Sequence, residues 1–308
     1  MKPQYISLYQ FHKLFPDENA AIAYYESQRW PNGVRCPHCD KAERVKPVKS
    51  RKPQPYHCGS CRKYFSVKVG TVMESSKIPL QKWLLVTYLM TVARKGISSH
   101  QIAREAGVTQ KTAWFLLQRI RETWGLSTGM FVGSVEVDEA YFGGKERNKH
   151  ASKKLKQGRG PVGKSAVVAI KNRETGRVKA QPVPRTDRLT LHATIKENVE
   201  PGSLVYTDEW RAYANLVGYN HRVVNHSVGE YVKDMIHTNG VESFWALLKR
   251  GYVGTFHHIS PKHLWRYVNE FEERHNTRLM QPLERFGHFI RLTIDKRLTY
   301  QELINAST

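Results

Sequence analysis

The spacing of hydrophobic residues along the chain changes near residue 133. Before that point, apolar residues recur every three or four positions, as at Trp83, Val86 and Met90, and a similar spacing continues to Ile120. This recurrence places the apolar side chains on one face of a helix. The pattern therefore predicts helices within residues 77–125.

After residue 133, short strand-like runs alternate with helix-like runs. We expect strands at residues 134–137, 165–171, 177–182, 203–207 and 222–224, and helices at residues 189–199, 210–217 and 241–249. Strands that alternate with helices are typical of an α/β domain. The C-terminal half is therefore expected to be α/β, with a mixed sheet flanked by helices.

These patterns predict four segments along the chain. Residues 1–70 combine an N-terminal helix with a module that contains all four cysteines, and residues 71–130 are helical. Residues 131–290 form the expected α/β domain, and residues 291–308 are interpreted as a C-terminal tail.

The charge of the chain narrows the class of its partner. Lys and Arg number 49 against 27 Asp and Glu, so the formal net charge is +22. Such an excess favours a polyanion, because each neutralised phosphate releases condensed counterions. A basic surface that serves only solubility is the alternative, but the basic residues run through several distinct segments. We therefore expect a polyanionic partner.

The sequence has no apolar run long enough to span a membrane, and its N-terminus lacks the continuous apolar core of a secretory signal. The expected location is cytoplasmic, associated with the nucleoid. Residues 145–164 carry eight Lys or Arg and no apolar period. That composition predicts a mobile loop suited to DNA phosphates.

The four cysteines form two CxxC pairs, in which Cys36 and Cys39 are followed by Cys58 and Cys61. This spacing is typical of a tetrahedral Zn²⁺ site in which each pair lies on a tight turn. Strand-like residues on either side complete the pattern of a zinc ribbon. Four thiolates leave no open position on the ion, so the predicted role is structural.

Residues 97–114 have the layout of a helix-turn-helix. Ser98 or Ser99 is placed to cap a first short helix, Gly107 to form the turn, and Thr109 to cap a second helix. A plain helical hairpin is the alternative, but the capped turn and the basic charge both favour DNA reading. The expected DNA contacts are Gln110, Lys111 and Thr112 at base edges and Arg119, with Arg121, at phosphates.

Three acidic residues lie where a metal-dependent nuclease needs them. Asp138 lies in an alternating strand, Asp208 ends an apolar run, and Glu242 lies at the start of a predicted helix. Carboxylates from separate elements that converge on two metal ions are the requirement for this phosphoryl transfer. Two strand-end aspartates and a helical glutamate in this order are how an RNase H-like nuclease assembles its site.

Other residues near these positions compete with the three for a role. Glu136 shares a strand face with Asp138 and is the main competitor, whereas Glu139 and Glu209 are expected to point away from the site. The aromatic side chains of the last third are interpreted as core and not as a surface for base stacking. They are Phe244, Trp245, Trp265, Tyr267 and Phe271.

The chain resembles the bacterial insertion-sequence transposases of the DDE type that carry an N-terminal zinc ribbon, a group related to the eukaryotic Merlin elements. The matching blocks are CPHC with CGSC, VEVDEAYFGGK, VYTDEWRAY, HTNGVESFWALLKRG, GTFHHIS and KHLWRYVNEFEERHN. They extend from about residue 15 to about residue 290.

The resemblance implies that Asp138 and Asp208 bind Mg²⁺ or Mn²⁺ and that the third ligand lies in the HTNGVES block. Glu242 is preferred on charge, but Asn239 shares its helix face and occupies the ligand position in some members of the group. His237 is a further helper there. A basic residue on the same helix is also implied; Lys249 lies seven residues after Glu242 and faces the same groove, and Arg250 follows it.

The predicted function is a transposase that binds insertion-sequence ends, cuts DNA and transfers the cut strand. Because two ends must be brought together, we expect a homo-oligomer that is at least a dimer. A non-catalytic regulator that uses only the zinc ribbon and the helix-turn-helix is one alternative. A host nuclease of the same fold, such as a junction resolvase, is another, and a remnant with a decayed site is a third.

Overall fold

The structure is a computed structural model, and it describes residues 6–125, 129–144, 146–155, 161–224 and 238–305. The chain separates into two units. One consists of residues 1–124 with 279–307, and the other is built from residues 125–278. This division groups residues differently from the four predicted segments, because the end of the chain belongs to the same unit as its beginning.

The helices are α1 (Leu8–Leu14), α2 (Glu18–Arg29), α3 (Leu80–Val92), α4 (Ser99–Ala106), α5 (Gln110–Arg121), α6 (Arg188–Asn198), α7 (Asn239–Gly251), α8 (Leu264–Asn276), α9 (Pro282–Leu292) and α10 (Tyr300–Asn305). The strands are β1 (Val45–Pro47), β2 (Tyr56–Cys58), β3 (Tyr64–Phe65), β4 (Ser134–Phe142), β5 (Ser165–Asn172), β6 (Val178–Val183), β7 (Leu204–Thr207) and β8 (Asn220–Val223). The five strands and two of the three helices expected after residue 133 are therefore present, as are helices within residues 77–125.

The core of the first unit contains residues from both ends of the chain. Trp83 of α3 is fully buried, and Phe286 and Phe289 of α9 belong to the same cluster. The hydroxyl groups of Tyr25 and Thr293 lie 2.7 Å apart in this core. The segment interpreted as a tail from residue 291 thus takes part in the fold, because α9 brings its apolar face back to the helices of the N-terminal half.

Helices α4 and α5 form a tight pair joined at Gly107. Ser98 caps α4 by accepting a hydrogen bond from the Gln101 amide, and Thr109 caps α5 in the same way through Thr112. Gly107 has a φ of 58°, a left-handed conformation that favours glycine. The predicted caps and turn are thus present in the expected places.

The second unit is built on a five-stranded sheet in the order β6-β5-β4-β7-β8. The central strand β4 pairs antiparallel with β5 and parallel with β7, so the sheet is mixed. Helix α6 belongs to the apolar cluster on one face of the sheet, and α7 and α8 belong to the cluster on the other. The predicted mixed sheet flanked by helices, as in an RNase H-like domain, is confirmed.

Helix α8 also closes the outer edge of the sheet. The Asn276 amide donates to the Val178 carbonyl at 2.8 Å and accepts from the Val178 amide at 2.8 Å. One turn earlier, a Glu272 oxygen accepts from the Ala180 amide at 2.8 Å. These contacts satisfy backbone groups that an edge strand otherwise exposes, and burial raises the pKa of Glu272 to about 8.

Two sequence predictions about this unit have different outcomes. The helix expected at residues 210–217 is only a short 3₁₀ turn, Arg211–Tyr213. The aromatic residues interpreted as core are buried, with Trp265 half-buried. Within the described part of the chain, no helix is long and apolar enough to cross a membrane.

Candidate active site and zinc ribbon

The sheet register brings Asp138 and Asp208 side by side. Glu136 of β4 pairs with Tyr206 of β7 in a parallel ladder, so two residues further along each strand reach the two aspartates. Asp208 directly follows the last residue of β7. Asp208 therefore lies at the carboxyl end of β7, as predicted, whereas Asp138 lies beside it in the middle of β4, because β4 continues for four more residues along β5.

The third carboxylate comes from the first turn of α7. Glu242 is exposed there, and its negative charge contributes to raising the pKa of Asp138. The larger causes are burial of Asp138 and the charge of Asp208, which together raise the pKa of Asp138 to about 6. The negative charges of Asp208 and Glu242 thus both act on the Asp138 carboxylate.

Trp245 holds the Asp138 carboxylate in position. Its indole nitrogen donates to Asp138 Oδ2 at 2.9 Å, and the Trp245 ring is only 3% exposed. Trp245 lies on the buried face of α7, three residues after Glu242. One helix therefore supplies a carboxylate to the site on its exposed face and an anchor for Asp138 on its buried face.

Glu136, the competitor on the same strand face as Asp138, has a different task. It is 1% exposed, pairs with Arg173 at 2.9 Å and accepts a hydrogen bond from the Val241 amide at 2.8 Å. A carboxylate at this point satisfies a free amide at the start of α7 and complements the helix dipole. Glu136 therefore fixes the helix that carries Glu242.

Gly240 is required by the same contact. A Cβ atom at this position would lie 2.6 Å from Glu136 Oε2 and 3.0 Å from Lys171 Nζ. Lys171 in turn donates to the Gly240 carbonyl at 3.0 Å. The glycine of the NGVES block thus allows close approach of the helix to the sheet, a role that its sequence position alone does not indicate.

Glu139 lies on the opposite strand face from Asp138, as strand alternation predicts. Its carboxylate accepts a hydrogen bond from the Tyr213 hydroxyl at 2.7 Å. Burial raises the pKa of Glu139 to about 7, and the charges of Asp208 and Asp138 add to this. The contact ties β4, just after Asp138, to the turn that follows Asp208. Glu209 is exposed.

The remaining residues predicted for this site lie along the exposed side of α7. Asn239, Glu242, Lys249 and Arg250 are all exposed. Glu242 and Lys249 are two turns apart on one helix face, so the acidic and basic groups line the same side. His237 lies outside the described residues.

The four cysteine sulfur atoms of the zinc ribbon lie close together. Among the described residues, the cysteines are the one group of three or more ligands whose atoms all lie within 4.8 Å of one another. The Sγ atoms of Cys36 and Cys61 are 3.6 Å apart, and those of Cys39 and Cys58 are 3.7 Å apart. A tetrahedral ion with Zn–S bonds of about 2.3 Å has sulfur–sulfur edges of about 3.8 Å. The four residues therefore fit Zn²⁺.

The ribbon that carries these cysteines is a three-stranded antiparallel sheet. Cys58 ends β2 and pairs with Val45 of β1, a strand that the sequence pattern did not predict. Backbone amides of Cys61 and Ser60 donate to the Cys58 sulfur and lower its pKa to about 6. Burial acts in the opposite sense at Cys36 and raises the pKa of that thiol to about 12, so the backbone amides favour the metal-binding thiolate form at Cys58 but not at Cys36.

The residues predicted to contact DNA from the helix pair differ in exposure. Gln110 and Lys111 are exposed at the start of α5, and Thr112 is half-buried. Arg119 does not reach the surface as predicted: it is 7% exposed, and its guanidinium donates to the Leu298 carbonyl at 2.8 Å. Arg121 is also buried. Arg119 is covered by the returning end of the chain, which the helix pattern alone does not show.

The basic stretch 145–164 lies partly outside the described residues. Two short 3₁₀ turns occur within it, Glu146–Asn148 and Ala151–Lys153. Lys149 pairs with Glu146 at 2.6 Å, so one of its basic residues is held by a neighbour.

Comparison with known proteins identifies the family. Residues 130–276 match the ISXO2-like transposase domain, and residues 16–64 match the transposase zinc-ribbon domain. A protein in the transposable element ISH50 of Halobacterium salinarum is 30% identical over 273 residues, which cover 85% of this chain and 92% of that protein. The chain belongs to the insertion-sequence transposases of the DDE type with an N-terminal zinc ribbon.

Two further similarities of this transposase are more limited. A transposase-like protein of Haemophilus influenzae is 34% identical over 96 residues, 30% of this chain and 76% of that protein. A cryo-EM structure of the simian T-cell lymphotropic virus intasome in complex with PP2A regulatory subunit B56 gamma aligns with 62% of this chain and 67% of its own at 15% identity. Its TM-score of 0.28 is too low to support an argument.

Proposed function

We propose that this transposase cuts DNA at the ends of its element and transfers the cut strand to a target, with divalent metal held at Asp138 and Asp208. The observation that carries the proposal is the register that sets these two aspartates side by side, with the charge of Glu242 acting on Asp138. Neighbouring carboxylates repel one another, so a cluster of this kind is suited to cations.

The donor set is typical of Mg²⁺ or Mn²⁺, which prefer carboxylate oxygens. When bound, two such ions supply the activation of a water or a 3′-hydroxyl and neutralise the charge that develops at the phosphate. Glu242 is the third ligand that we propose on charge grounds, and Asn239 is the alternative on the same exposed helix face. Trp245 and Glu136 keep the strand and the helix in register for this purpose.

The basic groups bind and orient the DNA strand. Lys249 and Arg250 lie on the exposed side of α7 and are proposed to contact phosphates next to the cut. Gln110, Lys111 and Thr112, at the start of α5, are proposed to meet the DNA of the element ends together with the zinc ribbon. We further propose at least a dimer, because two element ends must be joined in one complex.

Two alternatives remain testable beside this proposal. A non-catalytic regulator needs no carboxylates at strand ends, and a host nuclease of the same fold needs no strand transfer. Neither explains the match of both the transposase domain and the zinc-ribbon domain, so the transposase activity is preferred.

The test is a nicking and strand-transfer assay with Mg²⁺ or Mn²⁺ and DNA that carries the ends flanking the gene. We expect Asp208→Asn to lose about 1,000-fold in rate, since metal stabilisation of the transition state is worth several kcal/mol. The adjacent exposed Glu209→Gln is the matched control and should retain activity. Nicking by Asp208→Asn at the wild-type rate would overturn the proposal, and nicking without strand transfer would favour the host nuclease.

A further inference from the structure

One tryptophan of the second unit is exposed immediately beside the proposed active site. Trp210 is 49% exposed and lies two residues after Asp208. Its backbone amide donates to Asp208 Oδ1 at 3.0 Å, and its indole nitrogen lies 3.5 Å from the Thr186 carbonyl. The Trp210 backbone and indole nitrogen therefore each have a partner, while about half of the residue remains exposed to solvent.

A cavity of about 640 Å³ lies on the other side of Thr186, the residue whose carbonyl the Trp210 indole approaches, so Trp210 stands beside the cavity and not in its lining. Thr186 lines it, and the hydroxyl groups of Thr186 and Tyr141 lie 2.9 Å apart. Tyr141 is on β4, three residues after Asp138, and its own pKa is raised by burial and then by the charges of the neighbouring carboxylates. The cavity therefore adjoins the end of the strand that presents the active-site aspartate.

The chemistry of the cavity wall has two parts. Pro182 and Pro184 supply flat apolar surface, whereas Lys164 and Arg185 supply positive charge. Arg185 remains 81% exposed in its side chain although Asp187 lies 3.4 Å away, so its guanidinium is open to an anion. A flat apolar surface with cations beside it is complementary to a nucleotide, since a base offers a π-face and its backbone a negative charge.

We infer that this cavity accepts a single unstacked nucleobase of the DNA strand next to the cut, with Trp210 stacked on the base and Lys164 and Arg185 on its phosphates. The inference rests on the proposed function, since it assumes that DNA is bound at Asp138 and Asp208. It adds a base-holding subsite that carboxylates and metal do not provide. Holding one base out of the stack fixes the backbone at the neighbouring phosphate, which is how enzymes that act on nucleic acid position a strand.

The test measures binding of the full-length protein to two probes in EDTA, so that no cleavage is required. One probe is a short oligothymidine strand, and the other is a strand of the same length and charge in which every base is removed. Wild type should bind oligothymidine more tightly than the base-free strand. Trp210→Ala should lose about 5- to 150-fold in affinity for oligothymidine, because stacking of one base on one aromatic ring contributes a factor in that range. Its affinity for the base-free strand should not change.

Matched variants separate the base from the backbone. Trp210→Phe should keep most of the affinity, and Val217→Ala, which changes another exposed apolar residue of the same segment, should bind both probes as wild type does. Lys164→Gln and Arg185→Gln should weaken binding to both probes equally. Equal losses of Trp210→Ala on both probes, or no loss at all, would overturn the inference.

The outcome is separable from that of the proposed chemistry. If nicking fails in the metal-dependent assay while Trp210→Ala selectively loses oligothymidine, the base subsite stands and the cleavage proposal does not. If nicking succeeds while Trp210→Ala binds both probes as wild type does, the cleavage proposal stands and the base subsite is wrong.

Discussion

The zinc ribbon and the acidic site that we propose to bind metal are built on opposite principles. The ribbon takes its four ligands from residues 36–61, and its sulfur atoms lie at tetrahedral spacing. The acidic site takes its carboxylates from β4, from the end of β7 and from α7, and among the described residues they are not gathered as tightly as the cysteines. Local chain geometry is enough for the first, whereas the second depends on a sheet register and a helix position.

This difference follows from what each site must do. A closed set of four thiolates has no free position and serves to hold a small fold together. A catalytic carboxylate site must stay open to a strand of DNA, so its members are half-buried or exposed and are kept in place by neighbours such as Trp245 and Glu136. The following predictions test this contrast, from the largest expected effect to the smallest.

Cys58→Ser should abolish the ribbon fold and leave the acidic site intact. The reason is that structural Zn²⁺ contributes about 10–16 kcal/mol to small domains of this kind, while the second unit has its own core. Zinc content and protease resistance of the ribbon measure the effect. His38→Ala, next to a ligand but outside the set of four, is the control and should bind zinc normally. A folded ribbon in zinc-free Cys58→Ser would contradict the structural role.

Glu136→Ala should lower the free energy of unfolding by about 1–3 kcal/mol, because it leaves the Val241 amide unsatisfied and removes the carboxylate that pairs with the half-buried Arg173. Gly240→Ala should weaken the contact between Glu136 and the start of α7, because the added Cβ would lie too close to the Glu136 carboxylate. Denaturant unfolding measures both. Activity should fall in the folded fraction as well, since α7 also carries Glu242. Full activity in a folded Glu136→Ala protein would show that the helix needs no such anchor.

Glu272→Gln should stabilise the protein by about 1–3 kcal/mol near pH 8 and make little difference near pH 4. The pKa of Glu272 is raised to about 8 by burial, so ionisation of the folded state costs free energy. The contribution of Glu272 to the free energy of unfolding of the wild type is therefore fully present below the ordinary glutamate pKa, and it is lost as the pH rises toward 8. Thermal unfolding across this window tests the sign. Exposed Glu197→Gln should show no such pH dependence.

Lys111→Gln and Arg119→Gln should separate DNA binding from folding in the first unit. Because Lys111 is exposed, its replacement by Gln should weaken DNA binding modestly and reduce the salt slope of binding by about 1. Replacement of the buried Arg119 should instead lower the unfolding temperature without changing the salt slope, because the hydrogen bonds of Arg119 go to backbone carbonyls. The opposite pattern would restore Arg119 as a phosphate contact.

Much of this molecule was predictable from short-range patterns. Two CxxC pairs at ribbon spacing predict their site because each pair acts within a single turn. Alternation along β4 predicts that Asp138 and Glu136 share one face and that Glu139 takes the other, since side chains of a strand alternate. The caps at Ser98 and Thr109 depend on hydrogen bonds only three residues long.

Other properties were decided only by the tertiary structure. Whether Glu136 binds metal or anchors a helix depends on where the start of α7 packs, more than 100 residues along the chain. Arg119 is buried because the end of the chain returns to cover it, and a helical pattern of basic residues cannot reveal that cover. The sequence by itself determined the local features of this transposase, namely its CxxC turns, its strand alternation and its helix caps, because these depend on neighbours along the chain. The fold decided which of them meet, because burial and partnership depend on residues brought together across long loops.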